Sequence, residues 1–189
     1  YWRDWSSDVC SSDLALEHPR QQHVAAGRSR VSLPLRLAAA LASRPWLFSL
    51  LMTPARLLRR LDLSPSPLLF SGKPAVALST ADYADRLVRE HKPTGPRVAL
   101  LTGCLMEAAF REINFATARV LVRNNIQVVV PRSQGCCGAM REHLGLEGVE
   151  ELRRANRQAF SGKDFDAVVA NSSGCGFALG KALAGEGPP

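Results

Sequence analysis

Four cysteines in the second half of the chain are the residues whose type and spacing could do chemistry: Cys104, the adjacent pair Cys136 and Cys137, and Cys175. Gly103, Gly135, Gly138, Gly174 and Gly176 flank them. Four thiolates brought together make a soft, anionic donor set. Its softness, charge and number point to a metal ion or a metal–sulfur cluster. The glycines fit that chemistry, because backbone without a Cβ can approach a bulky ligand closely. Other readings stay open at this stage. A lone cysteine reads more simply as a small buried hydrophobe. Cys136 and Cys137 could act as a thiol–disulfide switch, although adjacent cysteines bridge only through a strained ring. A structural zinc site would also accept four thiolates, but zinc modules usually use C-x2-C knuckles, and the sequence has none. His143 is near enough in sequence to substitute for one ligand, and reads more simply as a residue capping or decorating the next helix. No acid–base or nucleophilic constellation accompanies the cysteines, so substrate chemistry is not expected in this chain.

For the sulfurs to meet, separations of 31 and 37 intervening residues must collapse. The surrounding pattern supplies a way. Arg97 to Gly103 is a short apolar run ending at Cys104, and Glu107 to Asn124 carries apolar residues at helical spacing. Ile126 to Val130 reads as a second strand, and Pro131 to Gly135 leads into Cys136 and Cys137. A turn at Ala139 to Leu144 and a helix over Glu147 to Phe160 follow. Asp166 to Ala170 is a third strand delivering Cys175, with a short final helix over Gly176 to Leu183. The order is β-α-β-α-β-α, and the strands are too apolar to face water on either side. That predicts an α/β fold with a small parallel sheet covered by helices. Every cysteine then follows the end of a strand, and in a parallel sheet those ends share one edge, where binding crevices form. Each also precedes a helix, whose first N–H groups favour thiolate over thiol.

The rest of the composition bounds the setting. The chain has 189 residues, 46% hydrophobic and 22% charged, which allows one packed domain with residues to spare. Five cysteines and opening residues unlike a signal peptide predict a reducing, cytoplasmic location. The longest apolar stretch, Trp46 to Met52, is far short of a bilayer span. The net charge of +7 is local: no acidic residue lies between Glu17 and Asp62, where Arg20, Arg28, Arg30, Arg36, Arg44, Arg56, Arg59 and Arg60 all fall. Residues 15–94 therefore read as a basic helical connector. Amphipathic helices are expected around Arg36 to Leu41 and from Pro54 to Leu63, each with Pro in its first turn. Ser64-Pro65-Ser66-Pro67 ends that part, and a further helix over Ala81 to His91 is expected with Thr80 as its N-cap. Residues 28–60 could lie on an anionic membrane surface or dock on a partner, or simply be a solvated connector face. Nucleic acid is not an expected partner, since no aromatics are interleaved with the charge. Tyr1 to Leu14 has neither helical nor strand periodicity and is similar to translated sequencing-adapter read-through, so residues 1–14, with Cys10, are set aside.

Gly103-Cys104-Leu105-Met106, Gln134-Gly135-Cys136-Cys137-Gly138-Ala139 and Ser173-Gly174-Cys175-Gly176 together resemble the three motifs of the cysteine-rich "CCG" domain. That domain occurs in the iron–sulfur subunit of glycolate oxidase, in lactate-utilisation proteins and in a subunit of heterodisulfide reductase. The wording is most similar to the glycolate oxidase subunit. The resemblance covers about residues 30–187, is strong over 95–180, and makes 95–189 the CCG domain. It implies a [4Fe-4S]-type cluster held by Cys104, Cys136, Cys137 and Cys175. It further implies an electron-transfer subunit of a 2-hydroxy-acid dehydrogenase, working between a flavin-containing subunit and quinone, in the cytoplasm or peripheral on the inner membrane face. The fullest form of the third motif ends C-x-x-C, and Ala178 stands at its second cysteine, so a five-thiolate cluster is not expected from this domain alone. Ferredoxin-like cysteine runs and a second CCG domain, both present in the glycolate oxidase subunit, are not found between Tyr1 and Pro189, so the chain reads as an internal fragment.

Overall fold

The strand β1 (Arg97–Leu101) has four apolar residues buried in succession, which only a strand covered on both faces can sustain. Side chains of a strand alternate between faces, and β1 divides accordingly. Leu100 packs with Ala84 and Leu87 of α2 (Thr80–His91), Ala118 and Val122 of α4 (Arg111–Arg123), and Val128 of β2 (Gln127–Val129). Ala99 and Leu101 pack on the other side with Ala159 and Phe160 of α6 (Val149–Phe160) and Leu179 of α7 (Ser173–Ala184). The computed structural model describes residues 31–44, 78–161 and 164–184, with positions 22–24, 26, 47, 50, 53 and 54 besides.

The sheet runs β2-β1-β3, with β3 spanning Ala167–Ala170. Both pairings are parallel, from Arg97↔Gln127 to Ala99↔Val129 and from Val98↔Ala167 to Leu101↔Ala170. The expected α/β fold with a small parallel sheet is thus the fold found. The chain leaves β1 for β2 on one side and returns past β1 to β3 on the other. That places the switch point between β1 and β3, at whose C-terminal ends ligands bind in open α/β sheets.

Several local expectations need correction. β3 is not buried on both faces: it is an edge strand, and Ala167 and Val168 are exposed. The helix expected over 107–124 is two helices, α3 (Cys104–Ala109) and α4, broken at Phe110 with φ −127° and ψ 35°. The last helix begins earlier than expected, at Ser173. Thr80 is inside α2, and Ser79 is its cap, accepting from the Asp82 N–H at 3.1 Å. Thr80 is fully buried, and both its N–H and its hydroxyl donate to the Glu107 carboxylate, which pulls it away from a capping role. Glu107 also pairs with Arg111 at 2.9 Å, so this carboxylate joins α2 to the start of the cysteine-bearing half.

In the connector, α1 (Leu33–Ala42) has Pro34 in its first turn as expected. Its leucines do not form the buried face: Leu33, Leu35 and Leu37 are exposed, and Ala39 is buried instead. Arg141 donates to the Ser43 hydroxyl at 2.9 Å, tying the end of α1 to the domain. The expected helix beyond Pro54, the Ser-Pro segment at 64–67, and the set-aside head with Cys10 lie outside the described residues. Among the described residues no helix is long and apolar enough to cross a membrane.

Candidate metal centre

Three loops at the C-terminal edge of the sheet carry the four cysteines. The first leaves β1 through Thr102 and Gly103. Gly103 has φ 69° and ψ 150°, a region that only glycine visits freely, and this sharp turn makes Cys104 the first residue of α3. Gly103→Ala is accordingly expected to destabilise the chain by about 1–3 kcal/mol, read as a lowered urea midpoint; an unchanged midpoint would show that the turn tolerates a side chain. The second loop leaves β2 and reaches over the end of β1. Gln134 holds it there, accepting from the Thr102 N–H at 2.8 Å and donating to the Leu100 carbonyl at 3.1 Å. Cys136 and Cys137 follow. Gly138, at φ 87°, turns the chain into α5 (Ala139–His143), and a Cβ there would meet Val149 and Leu152 of α6 (Val149–Phe160). The third loop leaves β3 through Asn171 and Ser172, and Cys175 is the third residue of α7.

The loops are cross-linked by buried amides. Asn114 on α4 is fully buried, and donates to the Thr102 carbonyl at 3.1 Å while accepting from the Asn171 amide at 2.8 Å. Asn156 on α6 is 1% exposed and bonds the Gly135 N–H and the Cys136 carbonyl. None of these amides was singled out from sequence. A usable signal exists for Asn114 and Asn156: each sits in a helix interior, where asparagine is unfavourable, four residues before a core residue, Ala118 or Phe160.

The four sulfurs that chain separation kept apart are brought together in two pairs. Cys104 Sγ donates to Cys136 Sγ at 3.6 Å, and Cys137 Sγ donates to Cys175 Sγ at 3.2 Å. A Cβ added at Gly103 would lie 3.7 Å from Cys175 Sγ, so the first and third loops also meet. Cys136 and Cys137 are buried, Cys104 and Cys175 half-buried. The expectation of thiolate character at every cysteine is corrected by this pairing. The thiol hydrogen bonds from Cys104 and Cys137 hold Cys136 well below the usual thiol range, and the bond from Cys137 brings Cys175 down to about 7. Cys104 and Cys137, as the donors and with burial added, are pushed up. Backbone N–H groups at Leu105 and Ala139 pull the other way and are outweighed.

As arranged, the described residues contain no group of three Cys, His, Asp or Glu side chains that could hold one metal ion. The donor chemistry nonetheless fits a thiophilic group: four sulfurs from three loops, two of them already disposed to be anionic. His143 ends α5 and is exposed, as a residue decorating that helix would be. Of the five flanking glycines, Gly103 and Gly138 are required by their backbone angles, whereas Gly135 and Gly174 have nothing within 4 Å of a Cβ position. A cleft of about 300 Å³ opens beside Cys104, lined in part by Glu107, Arg111, Arg132 and Gln134. Its arginines are already paired, Arg111 with Glu107 and Arg132 with Asp82 and Asp85.

Residues 98–180, which hold all three loops, match the family described as "Cysteine-rich domain" (CCG). Over this segment the chain is similar to that family. The chain is 41% identical over 85 residues to the "Probable glycolate oxidase iron-sulfur subunit" of Bacillus subtilis, covering 44% of this chain and 19% of that protein. It is 31% identical over 143 residues to the "Glycolate oxidase iron-sulfur subunit" of Escherichia coli, covering 65% and 35%. It is 36% identical over 88 residues to a subunit of the fumarate reductase (CoM/CoB) of Methanothermobacter marburgensis, covering 46% and 18%. The chain thus spans between about a fifth and a third of these relatives. No solved structure matches it.

Proposed function

We propose that the CCG domain holds an iron–sulfur cluster of the [4Fe-4S] type, with Cys104, Cys136, Cys137 and Cys175 as its ligands. The observation that carries this reading is the convergence of four sulfurs from three loops at one sheet edge. The names of the relatives support iron–sulfur chemistry. Such a cluster moves single electrons at a potential set by its thiolates, the hydrogen bonds to sulfur, and burial. The chain's own residues supply the ligands, the backbone N–H groups around them and the helical cover that limits water.

The larger setting is an electron-transfer subunit of a glycolate-oxidase-like 2-hydroxy-acid dehydrogenase, working between a flavin-bearing subunit and quinone at the cytoplasmic membrane face. Residues 15–94 serve as the connector and 95–189 as the redox domain. Leu33, Leu35 and Leu37, exposed beside Arg36, suit docking of residues 28–60 on a partner or an anionic membrane surface. Deleting 28–60 should weaken membrane association and complex assembly; unchanged association of both kinds would remove that role.

The deciding experiment is anaerobic expression of the whole chain, followed by iron, sulfide and zinc analysis, absorption spectroscopy and EPR. Near-equal iron and sulfide in a brown protein is the expected result. A colourless chain carrying one zinc, or no metal, would overturn the reading.

A further inference from the structure

We propose that Asn156 is a positioning residue for the Cys136–Cys137 turn, holding the peptide between the two cysteines in the orientation that a bound cluster uses. The inference rests on the cluster reading above, but its geometry stands in the chain itself. Asn156 lies in the interior of α6 and is 1% exposed. Both ends of its amide are engaged by the turn: Nδ2 donates to the Cys136 carbonyl at 2.8 Å, and Oδ1 accepts from the Gly135 N–H at 2.9 Å. The side chain therefore clamps two successive residues of the turn, Gly135 by its N–H and Cys136 by its carbonyl.

The Cys136 carbonyl belongs to the peptide that joins the two cysteines, and a peptide is planar. Holding that oxygen restrains the plane, and so narrows the Cα–Cβ directions open to Cys136 and Cys137. Packing does not do this at the start of the turn, since nothing lies within 4 Å of a Cβ position at Gly135. At the other end, a Cβ added at Gly138 would lie 3.4 Å from Val149 and 3.6 Å from Leu152. Those residues are also on α6, so one helix flanks the turn at both ends, with a hydrogen-bonding amide at Gly135 and Cys136 and apolar side chains beside Gly138. Groups that orient ligands in this way are worth roughly 10–100-fold in metal affinity.

The test compares the whole chain with Asn156→Ala, Asn156→Asp and the core control Val122→Ala, whose site is in α4. On the iron-free chains, amide exchange at Gly135 and alkylation rates of Cys136 and Cys137 are followed by mass spectrometry. On reconstituted chains, iron transfer to a chelator and the EPR signal are followed. Asn156→Ala should speed Gly135 exchange and alkylation of both thiols, weaken iron retention roughly 10–100-fold, and alter the EPR signal. Asn156→Asp, which keeps the acceptor and loses the donor at neutral pH, should keep Gly135 protected while still loosening iron; it carries the test if the alanine variant does not fold. Val122→Ala should lose stability with none of these changes. Unchanged alkylation and exchange in the Asn156 variants, or the same changes in Val122→Ala at equal loss of stability, would overturn the proposal. If the parent chain takes up no iron, the cluster reading fails, and the iron-free measurements still decide the role of Asn156.

Discussion

A chain carrying Cys136→Ser is expected to fold as its parent does and to lose nearly all its iron. Cys136 is the most central of the four: it is 3% exposed, accepts the thiol hydrogen of Cys104, and is held at a low pKa by that bond, by Cys137, by the Gly138 N–H and by Arg141. A thiolate is the form of cysteine that binds a metal. Serine is smaller and harder, and its hydroxyl does not ionise at neutral pH, so the donor is removed with little change in packing. The loss in iron affinity should exceed the roughly 100-fold upper range for groups that only orient ligands. Far-ultraviolet circular dichroism and melting of the iron-free chains should differ little. Cys10→Ser is the matched control, since Cys10 is the remaining cysteine and belongs to none of the three motifs. Retained iron and sulfide in Cys136→Ser, or equal loss in Cys10→Ser, would remove Cys136 from the ligand set.

What could be read ahead of the structure was what leaves a periodic or topological trace. The run Val98 to Leu101 is continuously apolar because β1 is covered on both faces, and that condition writes itself into the sequence. Cysteines after three strand ends come together because parallel strands put those ends on one edge. The break at Phe110 left no trace, since the apolar register of a helix survives a one-residue kink. Thr80 was expected as the cap, but Glu107, 27 positions away, takes the threonine hydroxyl and Ser79 caps instead. Asn114 and Asn156 were missed for a related reason: they bond backbone groups 12 and 20 residues away respectively, and the only local sign of them is a polar amide inside a helix. In α1 the leucines looked like the packing face, yet Leu33, Leu35 and Leu37 are exposed and Ala39 is buried. The chemistry was thus plain in the residues that donate sulfur, and only faintly marked in those that aim it.

The second large effect is expected at the ion triad behind the paired cysteines. Glu142 on α5 pairs with Arg153 of α6 at 2.6 Å and with Lys181 of α7 at 3.0 Å, and Arg153 also reaches Glu150 at 2.6 Å. The Glu142 and Arg153 side chains are 8% and 5% exposed, and Arg153 Nε has no hydrogen-bond partner among the described residues. The guanidinium therefore depends on its two carboxylates. Glu142→Ala leaves Arg153 and Lys181 without their shared partner and should destabilise the chain by about 3–5 kcal/mol, a large share of the roughly 5–15 kcal/mol typical of a domain. Since the triad ties the helix after Cys137 to the helix bearing Cys175, the same change should loosen the sulfur pair between them. Burial would raise the Glu142 pKa, but the hydrogen bond from Lys181 and the charge of Arg153 outweigh it, and the net shift is downward from 4.5. A depressed folded-state pKa contributes stability that is complete above the unfolded value and is lost as pH falls through the folded one. The parent should therefore lose stability below about pH 4.5, and that part of the slope should be missing from Glu142→Gln. Urea unfolding of the iron-free chains across pH 3–7 would measure both effects. Parallel slopes, or a Glu142→Ala stability within about 1 kcal/mol of the parent, would place the triad among surface pairs of small consequence.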